Sequence, residues 1–382
     1  MSEGARLFRL LLAWLLIAGN LSCLWVSSGN EPKGIANKQL VAEGVQAFSL
    51  SPDGEQIILL TRQGLKKLSL KTGEQSLILP LTAIASYFSW SLNNRWFAFR
   101  QINLKSQTEE ICLIDLQDNR LYHLVRAQRI FGFALSPEGN RLAWIEEEGK
   151  MRKNPAGYFL YEGKVKRSLI VGSLKGGKVV NSKVLYFEER YELPPKLDHV
   201  QWTPDGQFLI FRSCSLSSNG LMPRLGFIKS DGTGLQWIFP EPPPSRKGFP
   251  IHEIFTIYSW AVSPDSKSVA FGFGGSIWLC QLGSKKKPSR IASYIAIELC
   301  WSPDGESLLF VVSDRKAPPP APGSLQRNPP HELHWLSKDG QKHCLLWREG
   351  KGIRSLQWRK GNDIFYLSGS SLWKATVSFP SP

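Results

Sequence analysis

The sequence predicts an all-β chain folded as a seven-bladed β-propeller, with a six-bladed ring as the alternative, behind an N-terminal signal or anchor segment. Three observations carry this. A Ser-Pro-Asp-Gly-like phrase recurs along the chain. Short apolar runs rich in aromatic and branched residues flank its copies. The last unit is one strand short, while an extra strand precedes the first.

The phrase reads Ser51-Pro52-Asp53-Gly54, Ser136-Pro137-Glu138-Gly139, Thr203-Pro204-Asp205-Gly206, Ser263-Pro264-Asp265-Ser266 and Ser302-Pro303-Asp304-Gly305. Ser91-Leu92-Asn93-Asn94 and Arg359-Lys360-Gly361-Asn362 fit the same slot as degenerate copies. Self-similarity at a period of roughly 40–50 residues marks a propeller or array. The residue types are those of a type I turn. The hydroxyl bonds a backbone group two residues on, proline pre-sets φ, aspartate tolerates the bridge region, and glycine takes φ > 0 so that a hairpin closes with a bulge.

The strands follow in order. Runs such as Tyr87-Phe88-Ser89-Trp90, His199-Val200-Gln201-Trp202 and Glu298-Leu299-Cys300-Trp301 stand before the turns. Runs such as Ile57-Ile58-Leu59-Leu60, Trp96-Phe97-Ala98-Phe99 and Ser307-Leu308-Leu309-Phe310 stand after them. Their composition and their Pro, Gly and Asp boundaries make them strands. A third run, such as Ser276-Ile277-Trp278-Leu279-Cys280, and a fourth, such as Ser76-Leu77-Ile78-Leu79, complete each four-stranded blade. No stretch after residue 30 sustains a helical apolar period. The final unit ends at Trp373-Lys374-Ala375-Thr376-Val377, so the strand at 35–42 is expected to close the ring beside it. Residues 29–382 are therefore read as one propeller domain and 1–28 as a signal peptide or membrane anchor.

The aromatic-Ser-Pro-Asp-Gly-x-x-apolar pattern resembles the propeller repeat of the TolB-like class, a relative of the WD-type repeat, from Ile35 to the end. The resemblance implies a fold more than a function. TolB-like domains usually have six blades, whereas seven slots are visible here. The class serves periplasmic scaffolding and peptidase gating, and a similar seven-bladed lyase group cleaves pectin fragments with a metal held by channel histidines. Fold does not imply function.

The N-terminus reads as an export signal, with Arg6 and Arg9 ahead of the apolar run Leu10–Gly19. Three fates compete: lipidation of Cys23 after Leu21-Ser22, with Asn20 departing from the lipobox; cleavage after Ser28; or retention as an anchor. Each puts the propeller outside the cytoplasm, in the periplasm or on the membrane facing outward. The other cysteines (Cys112, Cys214, Cys280, Cys300 and Cys344) sit mostly inside strands as small apolar residues and form no disulfide framework.

A net charge of +15 and a pI near 9.6 favour anionic partners. No nucleic-acid motif accompanies the charge, and the aromatics recur at strand spacing as blade core. Turn lengths separate the two faces. Connections on one face are uniformly short. Those on the other carry insertions at about Glu146–Lys166, Arg212–Arg224, Pro240–Glu253 and Ser313–Glu332. The candidate binding residues are the cations of these insertions: Lys150, Arg152, Lys153, Lys164, Arg246, Lys247, Arg315 and Lys316.

Six histidines (His123, His199, His252, His331, His334 and His343) invite a metal reading. His331 and His334 point to opposite sides of an extended segment, and a metal needs three or four convergent ligands, so no metal and no cofactor is assigned. No nucleophile elbow, phosphate loop or His-Glu-x-x-His occurs. Two function classes stay open. One is a monomeric, non-enzymatic binding or scaffold module of the cell envelope whose basic face takes a protein or an anionic polymer. The other is a carbohydrate-active lyase or hydrolase with a site at the channel mouth.

Overall fold

The computed structural model describes residues 34–80, 84–103, 106–153, 159–191, 195–217, 220–238, 257–313 and 330–378. These build seven four-stranded antiparallel sheets. Strand β1 (Ile35–Ala42) precedes the first blade. Blade 1 holds β2 (Val45–Leu50), β3 (Gln56–Thr61), β4 (Gly64–Ser69) and β5 (Gln75–Leu79). Blade 2 holds β6 (Ile84–Trp90), β7 (Trp96–Asn103), β8 (Thr108–Asp115) and β9 (Arg120–Ala127). Blade 3 holds β10 (Arg129–Leu135), β11 (Arg141–Lys153), β12 (Phe159–Lys175) and β13 (Lys178–Tyr191). Blade 4 holds β14 (Asp198–Trp202), β15 (Phe208–Ser217), β16 (Gly220–Lys229) and β17 (Gln236–Ile238). Blade 5 holds β18 (Trp260–Val262), β19 (Ser268–Phe273), β20 (Ser276–Gln281) and β21 (Ser289–Ala292). Blade 6 holds β22 (Glu298–Trp301), β23 (Ser307–Ser313), β24 (His331–Ser337) and β25 (His343–Glu349). Blade 7 holds β26 (Arg354–Lys360), β27 (Asp363–Ser368) and β28 (Ser371–Val377), and takes β1 as its outer strand.

The turn phrase works by a side-chain clasp. In the first copy Gly54 N donates to Ser51 O at 2.9 Å, and Gly54 takes φ 73°. Ser51 Oγ donates to Asp53 Oδ1 and accepts from Gln56 N at 2.9 Å, while Asp53 Oδ1 also accepts from Glu55 N at 3.0 Å. The hydroxyl thus bridges the aspartate and the amide five residues on, a tighter device than a bond to its own backbone two residues away. The clasp recurs at Thr203/Asp205, Ser263/Asp265 and Ser302/Asp304, and Asn93 supplies the acceptor to Ser91. Where Glu138 replaces aspartate, Ser136 Oγ turns to Asn140 Oδ1 at 3.2 Å. The seventh slot departs: Lys360 pairs with Asp363 across Gly361-Asn362, a two-residue hairpin instead of the four-residue phrase.

Neighbouring blades meet through apolar clusters, one at each of the seven interfaces. Leu60 and Leu65 of blade 1 pack on Phe97 and Phe99 of blade 2, and Phe365 and Leu372 of blade 7 return to Phe48 and Leu59 of blade 1. Full burial of such side chains stabilises by roughly 1.5–3 kcal/mol each. Closure is completed by β1, whose Ile35 pairs with Val377 and Gln39 with Lys374. Lys38 Nζ lies 2.7 Å from Glu349 Oε2 of blade 6 and 4.5 Å from the Trp373 ring.

Three consecutive blade junctions share an arginine latch. Arg100, Arg167 and Arg212 each donate from Nη1 to the carbonyl of Ile130, Leu197 and Ile257 respectively, at the entry to the next blade. Each also pairs with a carboxylate of its own blade: Glu109 at 3.1 Å, Glu147 at 2.8 Å and Asp198 at 2.6 Å.

Two of the expected insertions are not loops. Strands β11 and β12 stay paired from Arg141↔Ser173 out to Lys153↔Phe159, and β15 and β16 from Phe208↔Lys229 to Ser217↔Gly220. Blade 3 therefore projects a ribbon that is three-stranded as far as Lys164↔Tyr191 and two-stranded out to Lys153↔Phe159.

Candidate functional site

The inner strands surround a cavity of about 990 Å³ along the ring axis. Prolines of the turns, Pro52, Pro137, Pro204, Pro264 and Pro303, line it, as do Trp90, Trp202, Trp301 and Trp358 from the strand ends. The indole N–H groups are tied to the ring. Trp90 Nε1 donates to Ser49 Oγ at 3.0 Å, Trp202 Nε1 to Ala134 O at 3.0 Å and Trp301 Nε1 to Ala261 O at 2.9 Å. Trp260 and Ser259 also line the cavity, and their Nε1 and Oγ atoms are buried with no hydrogen-bond partner among the described residues. An unmet buried donor costs about 1–3 kcal/mol.

In blades 2, 3 and 4 the inner strand begins with a bulge, and Tyr87, Gly132 and His199 there line the channel. Register shifts fall between Ser86 and Phe88, Ile130 and Gly132, Asp198 and Val200, and Arg354 and Gln357. Tyr87, His199 and Ser355, each four residues before its turn, take φ of 52°, 49° and 56°. Left-handed strain here belongs to the repeat and is not special to one residue. Gly132 fills the equivalent place in blade 3, where a Cβ would stand 2.9 Å from the His199 Cα.

His199 is the chemically richest of these. Its Nδ1 lies 3.0 Å from Asp198 Oδ1 and 3.3 Å from Arg212 Nη2, and its ring meets Tyr87 at 5.7 Å and Trp260 at 5.8 Å. Burial raises the Asp198 carboxyl, but hydrogen bonds from His199 and Arg212 outweigh it and hold the group at about 2. The other channel carboxylates serve their turns: Asp205 Oδ1 accepts from Gln207 N at 3.1 Å and Asp265 Oδ1 from Lys267 N at 3.0 Å.

Four of the basic residues read from the sequence fall among the described residues, all of them in blade 3. Lys150, Arg152 and Lys164 stand on the blade 3 ribbon, in β11 and β12, outward of the inner strand β10. Lys150 is exposed and sits opposite Glu162. Arg152 Nε is 3.2 Å from Glu162 Oε1, and Lys164 Nζ is 2.9 Å from Glu189 Oε1. Lys153 closes β11. Arg246, Lys247, Arg315 and Lys316 lie outside the described residues, as does Cys23 with the whole N-terminal segment.

The described histidines fall in blades 2, 4 and 6. Ile353 N donates to His331 Nδ1 at 2.9 Å, whereas His334 Nδ1 lies 2.9 Å from His343 Nε2, so His331 and His334 do face opposite sides. His252 lies outside the described residues. Cys112, Cys214, Cys280, Cys300 and Cys344 are free thiols. Among the described residues no helix is long and apolar enough to cross a membrane. Sequence reasoning missed the Asp198–His199–Arg212 cluster, whose arginine lies on the next strand. The one available signal was a histidine at the bulge position of an inner strand.

No protein-family model matches the sequence, and no curated protein matches it. Among solved structures, the β-propeller domain of Cps50 (Swd1) from Myceliophteria thermophila superposes with TM-score 0.57 at 12% identity, covering 90% of this chain and 100% of that one. Hydrazine synthase from Kuenenia stuttgartiensis gives 0.55 at 13% identity, over 94% and 99% of the two chains. TolB from Acinetobacter baumannii gives 0.44 at 13% identity, over 83% and 64%. At such identities the likeness is one of fold alone, and the fold is a seven-bladed β-propeller.

Proposed function

We propose that this protein is an exported, monomeric, non-enzymatic propeller that serves as a binding or scaffold module in the cell envelope, periplasmic or membrane-anchored through its N-terminus. Its partner is an acidic protein, with an anionic envelope polymer as the other ligand of that charge. The observation that carries the reading is the asymmetry of the ring. Turns on one face are short and tied to each other, as where Asn94 Nδ2 donates to Asp53 Oδ2 at 2.7 Å. On the opposite face stand the blade 3 ribbon, the extended β15–β16 hairpin and the mouth lined by Tyr87 and His199. Loops and projections on a rigid scaffold are where partners bind. The net charge of +15 favours acidic ones, through an attraction that salt weakens. Lys150, Arg152, Lys153 and Lys164 supply the ribbon's cations, and Arg246, Lys247, Arg315 and Lys316 those of the long connections.

The Asp198–His199 pair favours a second reading, a lyase or hydrolase working at the channel mouth. A carboxylate that fixes Nδ1–H leaves Nε2 to act as a general base. One experiment separates the two. His199→Gln should leave partner association intact while abolishing any turnover of polysaccharide fragments. Reversal of Lys150, Arg152 and Lys164 should do the opposite at low salt. Turnover lost with His199 would replace the binding reading by the enzymatic one.

A further inference from the structure

The outer half of blade 2 carries a group of side chains that neither the channel nor the loop-bearing face uses. Glu110 and Cys112 are two apart on β8 and so share one face. His123 on β9 lies directly opposite Cys112. His123 Nδ1 is 3.0 Å from Glu110 Oε2 and 3.7 Å from Cys112 Sγ, and the three donor atoms all lie within 4.8 Å of one another. Zinc binds thiolate at about 2.3 Å and imidazole or carboxylate at about 2.0–2.2 Å, so donors around one tetrahedral ion stand roughly 3–4 Å apart. The sulfur–nitrogen and nitrogen–oxygen spacings here already meet that requirement without backbone movement.

We infer that Glu110, Cys112 and His123 form a three-ligand site for a single zinc ion, with water in the fourth position. Three features support it. The donors combine thiolate, imidazole and carboxylate, a set suited to zinc rather than to calcium or magnesium, which prefer oxygen ligands. The carboxylate is held from behind: Gln101 Nε2 donates to Glu110 Oε2 at 2.8 Å, and Arg126 Nη2 lies 3.2 Å from Glu110 Oε1. Such outer hydrogen bonds fix the orientation of metal ligands. Finally, Cys112 and Glu110 are buried while His123 is exposed, which leaves an entry path from solvent.

Binding balances as follows. The Cys112 thiol loses its proton to solvent, and His123 takes the neutral tautomer with its proton on Nε2, which frees the Nδ1 lone pair for the ion. One thiolate and one carboxylate then neutralise the dication, and Arg126 stays paired with Glu110. Affinity therefore rises with pH, and binding releases protons.

The test uses the purified full-length chain, stripped with chelator and titrated with Co(II) as a spectroscopic stand-in, then with Zn(II). The expected result is one Co(II) per chain with a thiolate-to-cobalt charge-transfer band, which Zn(II) abolishes, and a Zn(II)-dependent rise in Tm. Cys112→Ala should lose the band. His123→Ala, an exposed change that leaves the core intact, should lose at least tenfold in affinity together with the Tm rise. His343→Ala and Cys344→Ala should keep both. The assignment is overturned if no thiolate band appears, if the band survives Cys112→Ala, or if folded His123→Ala binds Co(II) as tightly as the parent.

Discussion

Single residues in this ring act mainly by satisfying groups that the blades bury. Arg167 is the clearest case, because its guanidinium and the Glu147 carboxylate are both almost fully buried, at 7% and 3% exposure. Tyr161 donates its hydroxyl to the same carboxylate. Arg167→Ala strands that charge and should cost about 3–5 kcal/mol in urea unfolding; a loss under 1 kcal/mol would show that the latch contributes little. Asp198 provides a pH-dependent counterpart. Its folded value of about 2 lies below the ordinary aspartate range, so its stabilisation is present above the unfolded pKa and disappears as pH falls through the folded one. The shift corresponds to about 2 kcal/mol at neutral pH. Asp198→Asn should be less stable by that order at pH 7, and the gap should close between about pH 4 and pH 2. A gap that stayed constant down to pH 2 would assign the effect to packing.

At the scale of elements, the closing strand β1 is the piece whose loss exposes most backbone, because it covers the edge of β28. A chain beginning at Lys33 should remain a folded monomer. One beginning at Glu43 should unfold at lower denaturant or associate through the bare edge, as size-exclusion chromatography would report. Elements were legible in the sequence to the extent that their chemistry is local. The Ser-Pro-Asp-Gly clasp closes within six residues, so Ser51, Asp53 and Gln56 announce it by themselves. The seventh slot was legible as a turn but not as a shorter one, since Gly361-Asn362 suits a two-residue hairpin equally well. In the sequence, Glu146–Lys166 reads as a charged insertion with aromatics between two strands. Its strands are held by cross-strand pairs such as Arg152 with Glu162, which no single strand's pattern displays. The arginine latches were illegible for the same reason. Their acceptors are backbone carbonyls 30 to 45 residues away, with no side-chain signature.

At the scale of the whole molecule, seven similar interfaces and a closed edge make a rigid ring. On the proposed reading, binding falls to what differs between blades: the ribbon and the bulge residues at the mouth. That division explains why the repeat disclosed the architecture and left the ligand open. Export is tested by reporter fusions after Gly34, which should be active only with an extracytoplasmic reporter. An active cytoplasmic reporter would move the propeller to the other side of the membrane. The central claim is that a partner meets the loop-bearing face. It is tested most directly by placing a photo-crosslinking residue at Lys150 on the ribbon, or at Lys71 on the short-turn face, in living cells. A discrete adduct from Lys150, lost when Arg152 and Lys164 are reversed in charge, and none from Lys71, is the predicted result. Equal adducts from both faces, or an adduct from Lys71 alone, would contradict it.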